Sequence, residues 1–316
     1  MLEIRDLMKR FGDVVALDRA NFSVAPGRIV GFLGPNGAGK TTTMRAIFGL
    51  VRLDRGEVRW RGKPVGPEER ARFGYMPEER GLYPKMKVEE QLTYFAELSG
   101  MSEESATEAA AGWLERLHLG DRADARLEEL SHGNQQRVQL AAAIVHDPEL
   151  AVLDEPFSGL DPLGVESLAE LLKQIAAMGV AVVFSSHQLD LVEDVCEDVV
   201  IIDHGRIVMA GVVEGLKAAS PHRSLEVTVN GEPWVPILPG GTVTSKQGGR
   251  LRVLVDATVD VEEILATARQ AGEVTSFAFE PPSLTTYMPS SPLDDSTLYQ
   301  LSPMGARTPS ITTLKW

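Results

Sequence analysis

The 316 residues hold a single cysteine, Cys196. That excludes an intrachain disulfide and a zinc cluster built on cysteines, and it suits a reducing compartment. Long apolar runs are also missing. Apolar runs such as residues 179–184 and 199–202 fall far short of the ~20 residues a bilayer span needs. The sequence therefore reads as a soluble chain, and work at a membrane would need the span from another chain. No basic stretch followed by an apolar one opens the N-terminus, so no signal peptide is expected. Cationic excess is absent: the formal net charge is −14, which argues against nucleic acid as a partner. There is no fixed-period repeat and no heptad run. What remains, 43% hydrophobic and 24% charged, is ordinary globular composition, long enough for one large domain and one small one.

The most informative stretch is Gly34-Pro35-Asn36-Gly37-Ala38-Gly39-Lys40-Thr41. It follows an apolar run, Ile29-Val30-Gly31-Phe32-Leu33, and precedes a helix-like run over residues 42–50. Strand, glycine loop and helix form the context of a phosphate-binding P-loop. The glycines let backbone N–H groups close around a phosphate, and the following helix turns its positive end to the anion. Lys40 is expected to reach the β- and γ-phosphates, and the Thr41 hydroxyl to ligate Mg²⁺.

Residues 2–33 read as strands, with a turn at Pro26-Gly27. Phe11, just before Gly12, reads either as core or as a ring that stacks on a purine. A hairpin is expected at residues 57–63 and a strand over 73–76. Two helices follow, over 88–98 and 102–117, as a helical insertion spanning about residues 85–145. Ser131, near the start of a helix over 135–145, suits the N-cap region. Residues 150–155 read as a buried strand ending in Asp154 and Glu155, and an aspartate there supports Mg²⁺ in P-loop chemistry. Helices over 163–177 and 188–195 alternate with strands over 180–184 and 199–202, which predicts a mostly parallel sheet.

The pattern changes near residues 218–222. Strands over 225–229, 251–255 and 274–279 and a helix over 261–271 form a small α+β unit, residues 224–280. Residues 281–316 contain six each of Ser, Thr and Pro, half of the stretch, and a flexible tail is expected.

The glycine loop, Leu130-Ser131-His132-Gly133-Asn134, Leu153-Asp154-Glu155-Pro156, Ser158-Gly159-Leu160-Asp161 and Ser186-His187 together resemble the ATP-binding subunit of an ABC transporter. The five motifs stand in that family's order and spacing over roughly the first 220 residues. His132 to Gln136, the run from Pro77 to Pro84 and the extra domain resemble the branch that includes sodium-extrusion and drug-resistance ATPases. The resemblance implies an α/β fold. A P-loop ABC ATPase domain over residues 1–220, with a mixed sheet and a helical subdomain, is followed by the accessory α+β domain and the tail. It implies an ATPase with ATP and Mg²⁺ as cofactors. Phe11 would stack on adenine. Gly34, Pro35, Asn36, Gly37, Ala38, Gly39, Lys40, Thr41 and Thr42 would bind phosphate and Mg²⁺, and Asp154 would support the ion. Glu155 would orient and polarise the attacking water, and His187 would contact the γ-phosphate. Asp161 lies in the loop that crosses to a partner subunit. Ser131 and Gly133 would cap the γ-phosphate of an ATP held by another subunit, which implies a head-to-tail dimer around two ATPs, formed by two copies, the favoured homodimer, or by one copy and a relative. The permease would be a separate integral membrane chain, with this subunit cytoplasmic and peripheral on the inner face of the membrane. The resemblance favours export. Tyr83 reads as a contact with the permease or as a packing residue.

The sequence departs from the family's pattern in three places. Glu78 stands where glutamine is commonest, in the loop that senses Mg²⁺ and contacts the permease; it stays a metal candidate. His132 and Asn134 replace a glycine and a glutamine of the usual signature, leaving Ser131 and Gly133 in place. After Glu280-Pro281-Pro282-Ser283-Leu284 the expected apolar helix is absent, because Pro289 and Ser-Pro pairs break it. The rival reading is a soluble ATP-dependent clamp or regulatory ABC-type protein without a permease. Such chains usually bring two ATPase units, a coiled coil or zinc cysteines, and Glu155 and His187 count against a subunit that barely hydrolyses.

Overall fold

The structure, a computed structural model, describes residues 1–79, 81–231, 241–247 and 249–284. The chain starts with a long hairpin of β1 (Leu2–Phe11) and β2 (Val14–Val24), which alternates inward and outward residues. The fully buried β3 (Ile29–Leu33) leads through the glycine loop into α1 (Lys40–Ile47). Next come β4 (Arg55–Trp60), β5 (Lys63–Pro64), the short α2 (Pro67–Arg70) and β6 (Phe73–Met76). An antiparallel sheet forms in the order β2-β1-β4-β5. Leu2, Ile4 and Leu7 of β1 and Trp60 of β4 share a core with Phe32, Met44 and Ile47. Trp60 also donates its indole N–H to Glu149 Oε2 at 2.7 Å, tying this sheet to the central one.

The helical part holds α3 (Val88–Leu98), α4 (Glu103–Arg116) and α5 (His132–Ile144). The Ser102 hydroxyl caps α4, accepting from Ser105 N–H. α5 begins at His132 rather than Gln135, because Ser131 in extended conformation caps it and the next three residues wind into its first turn. The chain then alternates: β7 (Leu150–Leu153), α6 (Pro162–Ala177), β8 (Ala181–Ser186), α7 (Leu189–Val195), β9 (Asp198–Asp203), β10 (Arg206–Val212) and α8 (Val213–Ala218). The central sheet runs β10-β9-β3-β8-β7-β6, parallel except for β10. β3 lies inside it, so the glycine loop leaves from the carboxyl ends of the strands, between β9 and β8. Crevices at that edge are where open α/β sheets bind ligands.

The remaining elements are β11 (His222–Gly231), β12 (Thr242–Gln247), β13 (Arg250–Asp256), α9 (Val261–Ala271) and β14 (Gly272–Glu280). They form an antiparallel sheet, β12-β13-β11-β14, whose Leu225, Val227, Leu251 and Val253 bury Ile264 and Ala268 of α9. β12 is absent from the sequence reading. Residues 242–246 are all exposed, so they carry no apolar alternation. Glu193 on α7 joins the two parts. It pairs with Lys217 Nζ at 3.1 Å, accepts from the Ser283 hydroxyl at 2.8 Å, and accepts from the Leu284 N–H. Leu284 is fully buried in the core beneath the central sheet, so the packed chain reaches into the stretch expected to be tail. Residues 285–316, the rest of that stretch, lie outside the described residues.

Candidate active site

The glycine loop is shaped by close approach. Gly39, the N-cap of α1, has φ +112°, and a Cβ on it would meet the Ala16 carbonyl oxygen at 2.5 Å. Only glycine satisfies both conditions. No side chain caps α1, which leaves its first N–H groups for an incoming anion. Lys40, 7% exposed, folds back over the loop. Its Nζ donates to Gly34 O at 2.8 Å and Pro35 O at 3.3 Å, and lies 3.7 Å from Glu155 Oε1. A cavity of about 330 Å³ opens here, lined by Asn36, Gly37, Gly39, Lys40, Thr41, Thr42, Glu78 and Glu155, with Val14 and Ala16 from β2.

The carboxylates follow from strand register. β7 and β8 pair in parallel, with Leu153 beside Phe184. The next residues, Asp154 and Ser185, therefore meet. The Ser185 hydroxyl donates to Asp154 Oδ1 at 2.5 Å and accepts from Glu155 N–H at 2.9 Å. Asp154 N–H donates to Met76 O at 2.8 Å. Glu155 sits at φ +51°, in the left-handed region that costs a non-glycine residue of order 1 kcal/mol or more. That turn carries its carboxylate back to the cavity, where His187 Nδ1 lies 3.0 and 3.1 Å from its two oxygens. Burial, then the charge of Asp154 and more weakly that of Glu78, hold the Tyr75 phenol above its ordinary pKa, while Arg45 opposes the shift.

Among the described residues no three His, Cys, Asp or Glu side chains are grouped to hold a metal. A smaller set is present. Asp154 Oδ2 is buried and has no hydrogen-bond partner among the described residues, and Thr41 and Glu78 line the cavity beside the loop. Mg²⁺ bound with a nucleotide needs few protein ligands, since phosphates and water supply the rest. These residues fit it.

Other sequence-predicted residues lie elsewhere. Gly34, Pro35 and Ala38 belong to the loop without lining the cavity, Ala38 being buried in the core. Phe11 is 51% exposed at the end of β1, with Lys9 Nζ 5.0 Å from its ring centre. Ser131 and Gly133 open α5, where the exposed Ser131 hydroxyl accepts from Asn134 N–H at 3.4 Å. Asp161 caps α6, accepting from Gly164 N–H at 2.8 Å. His132 packs on Gly159, so the signature and the loop before α6 touch: a Cβ on Gly159 would meet the ring at 2.8 Å. Ser185 is the residue sequence reasoning missed. Its signal was a pair of buried serines closing an apolar strand.

Comparison with known proteins places these observations. The family described as ABC transporter matches residues 17–158, and the family described as ATP-binding protein DrrA1-3-like, C-terminal domain, matches residues 211–285. The uncharacterized ABC transporter ATP-binding protein YhaQ of Bacillus subtilis (strain 168) is 40% identical over 287 residues, covering 90% of this chain and 96% of its own. The Nod factor export ATP-binding protein I of Burkholderia orbicola (strain AU 1054) is 37% identical over 218 residues, 68% of this chain and 72% of its own. A solved structure of an ATP binding subunit of an ABC transporter superposes with a TM-score of 0.63 at 33% identity, over 69% of this chain and 92% of that one.

Proposed function

The chain belongs to the ABC transporter ATP-binding proteins and is an ATPase of that kind, and from this premise we propose that two copies close head-to-tail around two Mg²⁺-bound ATPs to drive a separate membrane permease in export. The observation that carries the reading is the pairing of Lys40 and Glu155 across 3.7 Å at the glycine loop, with Asp154 Oδ2 buried beside them and without a hydrogen-bond partner among the described residues.

In this reading the loop N–H groups from Asn36 to Thr42 hold the phosphates, and Lys40 leaves the carbonyls of Gly34 and Pro35 for the β- and γ-phosphate oxygens. Phe11 stacks on the adenine. Thr41, Asp154 and Glu78 hold Mg²⁺, which when bound draws negative charge from the phosphate oxygens. Glu155 orients a water whose oxygen attacks the γ-phosphorus. The bond to the β–γ bridging oxygen breaks, its electron pair leaves with ADP, and the water's proton passes to the phosphate or to Glu155. His187 steadies Glu155 and faces the γ-phosphate. Ser131 and Gly133 of the second copy approach the same phosphate, and Asp161 stands at the crossing between copies.

No helix among the described residues is long and apolar enough to cross a membrane, so attachment to the inner face of the membrane falls to the permease. Tyr83, half exposed, stacks on Phe95 at 6.3 Å and meets Tyr94 edge-on at 6.0 Å. This aromatic cluster, next to the Glu78 loop, suits a permease helix. The name of the Nod factor relative, an export ATP-binding protein, supports export.

The test is Glu155→Gln. Phosphate release should fall at least about a hundredfold, while ATP still shifts the chain from monomer to dimer on gel filtration. Unchanged phosphate release would overturn the assignment of Glu155.

A further inference from the structure

α5 reaches both flanks of the nucleotide site through two side chains. Gln136 donates its amide to Pro156 O at 2.8 Å, and Gln139 donates to Pro77 O at 2.7 Å. The two are three residues apart and share one helix face. Pro156 directly follows Glu155, and Pro77 directly precedes Glu78. The Pro77 carbonyl belongs to the same rigid peptide plane as the Glu78 N–H, so holding it sets that plane. At Pro156 the ring fixes φ, which removes one of the two soft torsions between the held carbonyl and Glu155.

Both glutamines are buried, Gln136 at 6% exposure and Gln139 at 3%. Glutamine is a costly filler for such positions. Gln139 Oε1 is buried without a hydrogen-bond partner among the described residues. The amide therefore carries a penalty at one end, and its bond to Pro77 is what offsets it. The helix is a stiff link: Val138, Leu140, Ala141, Ala143 and Ile144 of α5 are buried as well. Its N-cap is Ser131, ~7.5 Å along the axis from Gln136 and ~12 Å from Gln139 at helical rise.

We propose that Gln136 and Gln139 are positioning residues. Through them α5 ties the carboxylates of Glu155 and Glu78 to its own N-terminus, so that contact of Ser131 with the nucleotide of a second copy is felt at this chain's own site. The inference rests on the two-copy reading above. It adds a route for cooperativity between the two sites within one helix, with the two proline carbonyls as its outputs. A push of α5 along its axis moves both carbonyls together, so both carboxylates are set in one step.

The experiment replaces both residues with methionine, which keeps the length and removes the donor, in the full chain. Steady-state ATPase, nucleotide affinity of the monomer and thermal midpoint are measured together. The expected result is a fall in kcat of about ten- to a hundredfold, a Hill coefficient for ATP that drops to one, and an unchanged monomer affinity. With Glu155→Gln added, the chain should still dimerise with ATP. If kcat and the Hill coefficient stay at the parent values, or if affinity falls in step with kcat, the inference is overturned. Should the double variant not fold, Gln136→Met and Gln139→Met singly carry the same expectation at smaller size. Failure of Glu155→Gln alone to dimerise with ATP overturns the two-copy reading instead, so the two failures are told apart.

Discussion

Two helices of this protein start at anion-ready ends, and they start differently. α1 is entered through Gly39 in the left-handed region, has no side-chain cap, and begins with the buried Lys40. α5 is entered through Ser131 in extended conformation, is capped by that serine, and begins on an exposed surface. Each presents the positive end of a helix dipole. The first is enclosed by its own chain, with the glycine loop on one side and Glu155 on the other. In the second, the serine oxygen accepts a long 3.4 Å bond from Asn134 N–H, which occupies the hydroxyl as an acceptor and not as a donor to a phosphate. In the proposed two-copy reading, the enclosed start serves the chain's own nucleotide and the open one its neighbour's.

The largest effect should come from breaking the enclosed start. Lys40→Met removes the cation that spans the loop carbonyls and Glu155. Turnover should fall about a hundred- to a thousandfold, with nucleotide affinity of the monomer falling alongside. Affinity left intact by titration with a fluorescent nucleotide would remove Lys40 from the site.

Breaking the open start should have a different signature. Aspartate caps a helix as well as serine does, so Ser131→Asp keeps α5 while setting a negative charge against any phosphate brought to it. Turnover should drop about ten- to a hundredfold, with the thermal midpoint and the monomer's nucleotide affinity unmoved. If affinity falls as well, the two helix starts are not separable as drawn.

The smallest effect concerns the far end of α5. His146 lies just beyond it, with Nε2 3.3 Å from Phe73 O, and burial holds its imidazole below the ordinary 6.5. The unfolded chain therefore takes up a proton at a higher pH than the folded one. Stability should be flat above pH 6.5 on this account and decline as pH falls below it. Urea unfolding at pH 7.5 and 5.5 should show a smaller pH difference for His146→Gln than for the parent. An equal difference would discharge His146 from that role.

Much of this was legible in the sequence because the signals are local. Strand, glycine loop and helix sit within residues 29–50, and each motif residue is adjacent to its neighbours in the chain. The elements that escaped depend on partners far away. Ser185 meets Asp154 because β7 and β8 align Leu153 with Phe184, a register no single strand announces. The left-handed turn at Glu155 is invisible in a residue that normally avoids it. Gln136 and Gln139 read as polar residues of a helix until their proline acceptors are seen. Residues 242–246 of β12 are all exposed and leave no pattern, and the end of β8 hides in serines that interrupt an apolar run.

The joint at Glu193 bears on how such proteins can be recombined. An exchange of accessory domains that crosses over only near residue 220 keeps Lys217 beside Glu193 but replaces the incoming Ser283 and Leu284 with whatever the donor chain carries there. Glu193 would then face a foreign backbone, and the slot for a fully buried leucine would be left to chance. The accessory domain is thus not a bead on a string. The stretch after its last strand places Leu284 inside the ATPase core, and a workable chimera needs two matched crossovers, one on each side of the sheet it carries.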